Sequence, residues 1–170
     1  MAKNRKFNVA FRRKREGKTD YKLRRLLLSS RKPRLVVRKS LKHMVAQLIL
    51  YQPQGDKVVV AASTRELKNH DLQANNLPSA YLLGIILGKK ALQQNLKEAI
   101  LDIGLHPSTK GSKIYAVVQG ALDSGLQIPH NPKILPPASR IQGQHLKKEN
   151  ALKLAEKFKE VKAKLMNSSS

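Results

Sequence analysis

Cysteine is absent from this chain of 170 residues, which removes disulfides, thiolate metal sites and cysteine nucleophiles together. Tryptophan is absent too, and three Phe and four Tyr are few stacking platforms for a reader of single-stranded bases. Acid is scarce: 11 Asp and Glu stand against 34 Lys and Arg, a net charge of +23. Such an excess repels itself unless something anionic neutralises it, so a polyanionic partner is the economical explanation. A membrane surface could also supply anions, but that role wants an amphipathic helix with bulky apolar anchors. Long apolar runs are missing as well. Leu77 to Gly88, the longest, has twelve residues and contains Pro78, too short to span a bilayer. Met1 to Lys6 leads into no apolar run, so no secretory signal is expected. These shortages describe a soluble protein, with an intracellular setting plausible, whose partner is folded RNA read through phosphates, 2′-hydroxyls and shape.

The cations that are present are placed unevenly. Between Met1 and Lys42 there are 17 Lys and Arg against only Glu16 and Asp20, so half of the basic residues lie in the first quarter of the chain. Phe7 to Lys18 has no sustained helical or strand period, and its charges would repel in a closed core, which predicts an extended arm that orders on its partner. Thr19 or Asp20 can cap a following helix, with Leu23, Leu26 and Leu27 as its buried stripe and Lys22 and Arg25 on the other side. Pro33 stops this helix. A solvated tail or a localisation signal is the alternative reading of the basic run, but neither needs to lead directly into an ordered element displaying more cations.

A chain of this length can bury one core, so a single domain with extensions is expected. Leu35 to Lys39, Met44 to Tyr51 and Val58 to Ala62 read as strands. Turns at Ser40 to His43 and Pro53 to Asp56 make them an antiparallel meander. Pro78 to Leu96 reads as a helix with Tyr81, Leu82, Ile85, Leu92 and Leu96 near one face. Gly84 and Gly88 could mark helix pairing, but packing against a sheet is the preferred reading. Glu98 to Gly104 is a short strand, and Lys113 to Ser124 a second helix with Ile114, Val117, Val118 and Ala121 on one face, closed by Gly125. The fold class is therefore α/β: one domain with a mixed βββαβα sheet covered by helices, its fourth strand reached by a helical crossover. Its parts are a basic arm and short helix (1–30), the α/β core (31–130), a Pro-rich extended strap on the surface (131–146) and a basic helical tail (147–170). In the tail Leu154, Phe158, Val161 and Leu165 form a stripe that needs a partner surface, and Ser168 to Ser170 should fray.

Asp102, Asp123 and Glu98 invite a metal-dependent nuclease reading, since a strand carboxylate can hold Mg²⁺ for phosphoryl transfer. Their spacing does not bring several carboxylates together, and an Asp102 bonded to backbone in the turn before Gly104 is favoured. His43, His70, His106, His130 and His145 are scattered, with no pair four apart, which disfavours zinc and leaves turn or RNA contacts as their default. Ser108 to Lys113 lacks the phosphate-loop spacing. It still suits an RNA backbone: Gly111 permits close approach, the following helix N-terminus offers N–H groups, and Lys110 and Lys113 add charge.

Several of these stretches fall in a familiar order. Phe11-Arg12-Arg13-Lys14-Arg15-Glu16-Gly17-Lys18-Thr19-Asp20-Tyr21, Pro33 to Ser40, Ala80-Tyr81-Leu82 with Gly84, Ala99 to Leu105, Thr109 to Ser112 and Gly120 to Asp123 with Gly125 resemble the archaeal form of the L-eighteen family of large-subunit ribosomal proteins. The likeness runs from about Phe7 to Leu146. It implies a structural, non-catalytic protein of the cytoplasmic large ribosomal subunit that binds 5S ribosomal RNA and helps attach it at the central protuberance. It also implies contact with 23S ribosomal RNA and with neighbouring large-subunit proteins of the protuberance, and no cofactor, membrane or small-molecule substrate. By that likeness RNA meets Arg12, Arg13, Lys14, Arg15, Lys18, Thr19, Tyr21, Arg24 and Arg25, then Lys39, Lys42 and His43, then Lys110, Gly111, Ser112 and Lys113. Leu41 departs from the family, which usually places Asn in that hairpin turn. The tail after Leu146 lies outside the likeness and is read from charge alone.

Overall fold

The computed structural model describes residues 8–70, 72, 75–145 and 148–167. The expected fraying of Ser168 to Ser170, and the Phe7 start and Leu146 end of the family likeness, lie outside them. The three strands of the meander form where β-branched and apolar residues cluster: β1 (Arg34–Lys39), β2 (Met44–Leu50) and β3 (Lys57–Ser63). β1 and β2 pair antiparallel, as do β2 and β3. The short β4 (Ile100–Asp102) joins β1 in parallel, giving the order β3-β2-β1-β4. This is the mixed α/β sheet that the residue pattern predicts. Alternation divides its side chains between two faces. Leu35, Val37, Met44, Ala46 and Leu48 point into the core, while Arg34, Val36, Arg38 and Ile49 belong to the opposite face.

Two helices, α3 (Leu77–Gln93) and α4 (Lys113–Asp123), cover the core face. Asn76 caps α3 by accepting the Ser79 N–H at 2.9 Å. The helix ends at Gln93 and not at Leu96, because the backbone turns left-handed at Asn95 (φ 59°) and the Leu96 N–H returns to the Ala91 carbonyl. Burial surrounds α3 rather than following one face: Leu83 and Leu87 are as buried as Leu82 and Ile85, whereas Leu92 is partly exposed. Its neighbours on several sides explain this, since it packs against β2, β3, α4 and the C-terminal helix α6 (Lys148–Asn167).

The glycines of α3 correct the preferred sequence reading. A Cβ on Gly84 would lie 2.1 Å from the Val117 carbonyl oxygen, and one on Gly120 would lie 2.0 Å from that of Tyr81. Gly88 faces Ser124 in the same way. They mark the crossing of α3 with α4, so the spacing reports helix pairing and not helix-on-sheet packing.

Three further expectations need correction. The arm is not wholly extended, because Arg12–Arg15 forms one helical turn, α1. In α2 (Tyr21–Ser29) no residue is fully buried, and Leu26, assigned to the buried stripe, is 62% exposed; Leu23 and Leu27 are half-buried beside Val36 and Ile49 on the second sheet face. The strap after Pro129 also contains a 3-10 turn (Pro132–Ile134) and a helical turn, α5 (Ala138–Ile141). Pro137 precedes α5, and Ile141 is buried. The stripe of α6 finds its partner on α3: Phe158 and Val161 are buried, and the Phe158 and Tyr81 rings lie 5.6 Å apart. No helix among the described residues is long and apolar enough to cross a membrane.

Candidate nucleic-acid interface

The arm is organised by its few polar partners. Glu16 accepts from Arg12 at 2.7 Å and from Lys18 at 2.9 Å. Those two cations, Arg12 first, hold its carboxyl below the usual carboxylate range. Gly17 takes φ 62°, which reverses the chain after α1. Arg13 Nε then donates to Thr19 Oγ1 at 2.8 Å, and the Phe11 and Tyr21 rings meet at 5.2 Å. Asp20, rather than Thr19, is the cap of α2: its Oδ1 accepts from the Lys22 and Leu23 N–H groups at 2.9 and 3.1 Å. Arg12, Arg13, Lys14, Arg15 and Lys18 therefore stand exposed on a short folded unit docked to α2.

Between α2 and the second sheet face lies a cleft of about 250 Å³. Arg13, Lys18, Thr19 and Tyr21 line it from the arm side, and Arg34, Arg38, Asp56 and Asp102 from the sheet side. Asp102 is buried and fully engaged. It accepts from Arg34 Nη1 at 2.7 Å, from Arg38 Nη2 at 3.3 Å and from the Gly104 N–H at 2.9 Å. The backbone bond at Gly104 is the one expected of a turn-forming aspartate. Glu98 pairs instead with Lys32 at 2.5 Å, and Asp123 accepts from the Tyr81 hydroxyl at 2.5 Å. Burial, followed by that carboxylate, pushes the Tyr81 phenol up. The three carboxylates thus stand in separate partnerships.

Strand alternation sends neighbouring cations of β1 to different places. Arg38 lines the first cleft, while Lys39 lines a second cavity of about 290 Å³ with Lys113 of α4, Arg140 of α5, Thr109, Gly111 and Ser112. His106 lies between them: burial first, then Lys39 and Arg38, hold its imidazole below the usual histidine range. A cationic band therefore runs from the arm through Arg38 and Lys39, both of which act on His106, to Lys113 and Arg140. Lys39, Lys110, Lys113 and Arg140 have no ion pair among the described residues.

The two turns are less open than their sequences suggest. In the first hairpin Ser40 Oγ accepts the His43 N–H at 3.1 Å and donates to the His43 carbonyl at 2.7 Å, and Asn75 Nδ2 donates to the Ser40 carbonyl at 2.5 Å. The turn is held from beneath, so Leu41 projects with 97% of its surface exposed and Lys42 beside it is exposed. His43 is half-buried, its Nδ1 buried without a partner among the described residues. At the other turn Gly111 takes φ 68°, but its N–H donates to the Ile134 carbonyl at 2.8 Å and that of Ser112 to Thr109 at 3.2 Å. The strap has taken up the Gly111 donor and the turn itself the Ser112 donor, while Lys110 stays exposed and Lys113 half-buried.

Sequence reasoning missed Arg38 and Arg140. Arg38 carried a weak signal, as the alternate neighbour of Lys39 on a strand. Arg140 carried none, because only the path of the strap brings it to Lys113.

Residues 5–99 and 93–131 match the model of the family described as ribosomal large-subunit proteins 60S L5 and 50S L18. The chain belongs to that family. It is thus a ribosomal protein of the large subunit, a structural constituent of the cytoplasmic ribosome. The matched residues contain the arm, α2, the whole sheet, α3 and α4, and with them the cationic band up to Lys113. Arg140 and α6 lie beyond the match.

Proposed function

We propose that this ribosomal protein binds 5S ribosomal RNA and helps attach it to the large subunit at the central protuberance, where it also touches 23S ribosomal RNA and neighbouring proteins. The observation that carries the reading is the convergence of exposed cations from the arm, the first hairpin and the 108–113 turn onto one band. Arg12, Arg13, Lys14, Arg15 and Lys18 meet phosphates from the arm, with Thr19 and Tyr21 at its base and Arg25 on the exposed side of α2. Lys39, Lys42 and His43 continue the contact, and Lys110, Gly111, Ser112 and Lys113 end it, with Arg38 and Arg140 added. Cations spread over three rigid elements fit a folded RNA better than a flexible strand, since their spacing is set before binding.

Deleting residues 1–18 tests the reading. Each neutralised phosphate contributes about 0.7–0.9 to the slope of log affinity against log salt, so the deletion, which removes eight Lys and Arg including the five arm cations named above, should flatten the slope by at least about 3.5–4.5 and weaken binding at low salt. The measurement is a gel-shift salt series with 5S ribosomal RNA, beside a folded control RNA of equal length. Unchanged affinity and slope would overturn it.

A further inference from the structure

Asp56 is an acid on the RNA-facing side of a chain with only 11 Asp and Glu, and an acid near a polyanion opposes binding. Its surroundings show what it does instead. It lies between β2 and β3, at the end of the turn that begins at Pro53 and just before Lys57 opens β3. Arg24 Nη2, from α2, donates to both of its oxygens at 3.0 and 2.9 Å, and Arg34 Nη2, from β1, donates to Oδ2 at 2.6 Å. Arg34 continues the chain to Asp102 on β4. The Asp56 carboxylate thereby ties α2 and the β2–β3 turn to β1, and Arg34 extends the network to β4 through the Asp102 carboxylate. The Arg34 side chain is 4% exposed and that of Asp56 22%, so the pair at the centre is poorly screened by salt.

The remaining contacts of α2 are too few to hold it. Nine residues are below the roughly 12–15 that an isolated helix needs. No residue of α2 is fully buried, and its apolar residues Leu23, Leu27 and Leu28 are only half-buried. Yet α2 carries the arm, through Phe11 on Tyr21 and Arg13 on Thr19.

We propose that Asp56 is a positioning residue for the RNA-binding arm: through Arg24 and Arg34 it latches α2 to the sheet, and Arg24 serves as its partner rather than as a phosphate contact. The latch rests on the RNA-binding reading for its purpose but not for its existence. Charge alone and the latch predict opposite signs. Removing an acid near RNA should tighten binding, whereas releasing the latch should weaken it, because the arm must then be ordered at the moment of association.

The test uses the full chain with Asp56→Asn, Arg24→Gln and the double variant. Without RNA, each single substitution should speed amide hydrogen exchange in α2 by about ten-fold, while β1 and β2 keep wild-type protection, which separates release from misfolding. With 5S ribosomal RNA, each single should weaken binding by roughly five-fold and the double no further. The salt slope of Arg24→Gln should equal that of wild type. Unaltered exchange in α2, tighter binding by Asp56→Asn, or a slope lowered by about 0.9 in Arg24→Gln alone would each overturn the proposal. Wild-type protein that fails to bind 5S ribosomal RNA sinks the functional reading, and the exchange data still decide whether the latch exists.

Discussion

Gly84 and Gly120 lack the atom that would keep two helices apart. A Cβ on Gly84 meets backbone at 2.1 and 2.9 Å, atoms of Val117 and Ala121 that cannot rotate away. Gly84→Ala should therefore force α3 from α4 and cost about 1–3 kcal/mol, read as a lower urea midpoint with unchanged slope. A midpoint equal to wild type would show that the crossing can open freely. His106 is the other residue whose surroundings make a sharp forecast. Burial, Lys39 and Arg38 depress its pKa in the folded chain, so the neutral ring is the one the fold prefers. Its contribution to stability is present above the ordinary histidine pKa and is lost as pH falls through the depressed one. Phosphates placed on Lys39 and Arg38 would offset the repulsion and raise that pKa, so binding should take up protons and strengthen as pH falls. Nuclear magnetic resonance titration of the His106 ring should show a low midpoint that climbs when 5S ribosomal RNA is added. A midpoint that RNA leaves unmoved would remove the band between Arg38 and Lys39 from the interface.

At the scale of elements, α2 and α6 are both docked helices, but by different means. α2 leans on ion pairs, as argued above, whereas α6 is held chiefly by the burial of Phe158 and Val161, with Lys162 Nζ 5.0 Å from the Tyr81 ring centroid and Lys89 donating to the Leu165 carbonyl. Phe158→Ala should cost about 3–5 kcal/mol, enough to detach α6 before the sheet unfolds. Limited proteolysis should then cut within residues 148–167 while α3 and α4 stay protected; cleavage spread over the whole chain would show that α6 is integral to the core. Both stripes were legible as spacing. The spacing of Leu154, Phe158, Val161 and Leu165 marks the buried side, because a 20-residue helix repeats its period often enough to fix the face. Spacing misplaces Leu26 because a nine-residue helix offers too few turns, and because half-burial at Leu23 and Leu27 leaves Leu26 free to stay exposed.

For the whole molecule, a net charge of +23 is tolerable in one compact fold only because the core is built from residues that carry none of it. Apart from the Arg34 and Asp102 pair, the fully buried set among the described residues is apolar or hydroxylic. The cations are thus left at the surface, where an RNA can neutralise them and where deletion of the arm should register as lost counterion release. Period and turn chemistry were enough to determine the meander, the later strand, both core helices and the polyanionic partner, since these follow from local backbone preference and from charge that no core can hold. The order β3-β2-β1-β4 makes β1 the strand that carries Arg38 to one cavity and Lys39 to another. Only the tertiary structure could decide that Gly84 meets Gly120, that Arg140 comes to Lys113, and that Asp56 closes on Arg24 from 32 residues away. Each is a meeting of groups distant in sequence, set by how packed elements cross, and no local pattern records which distant group will arrive.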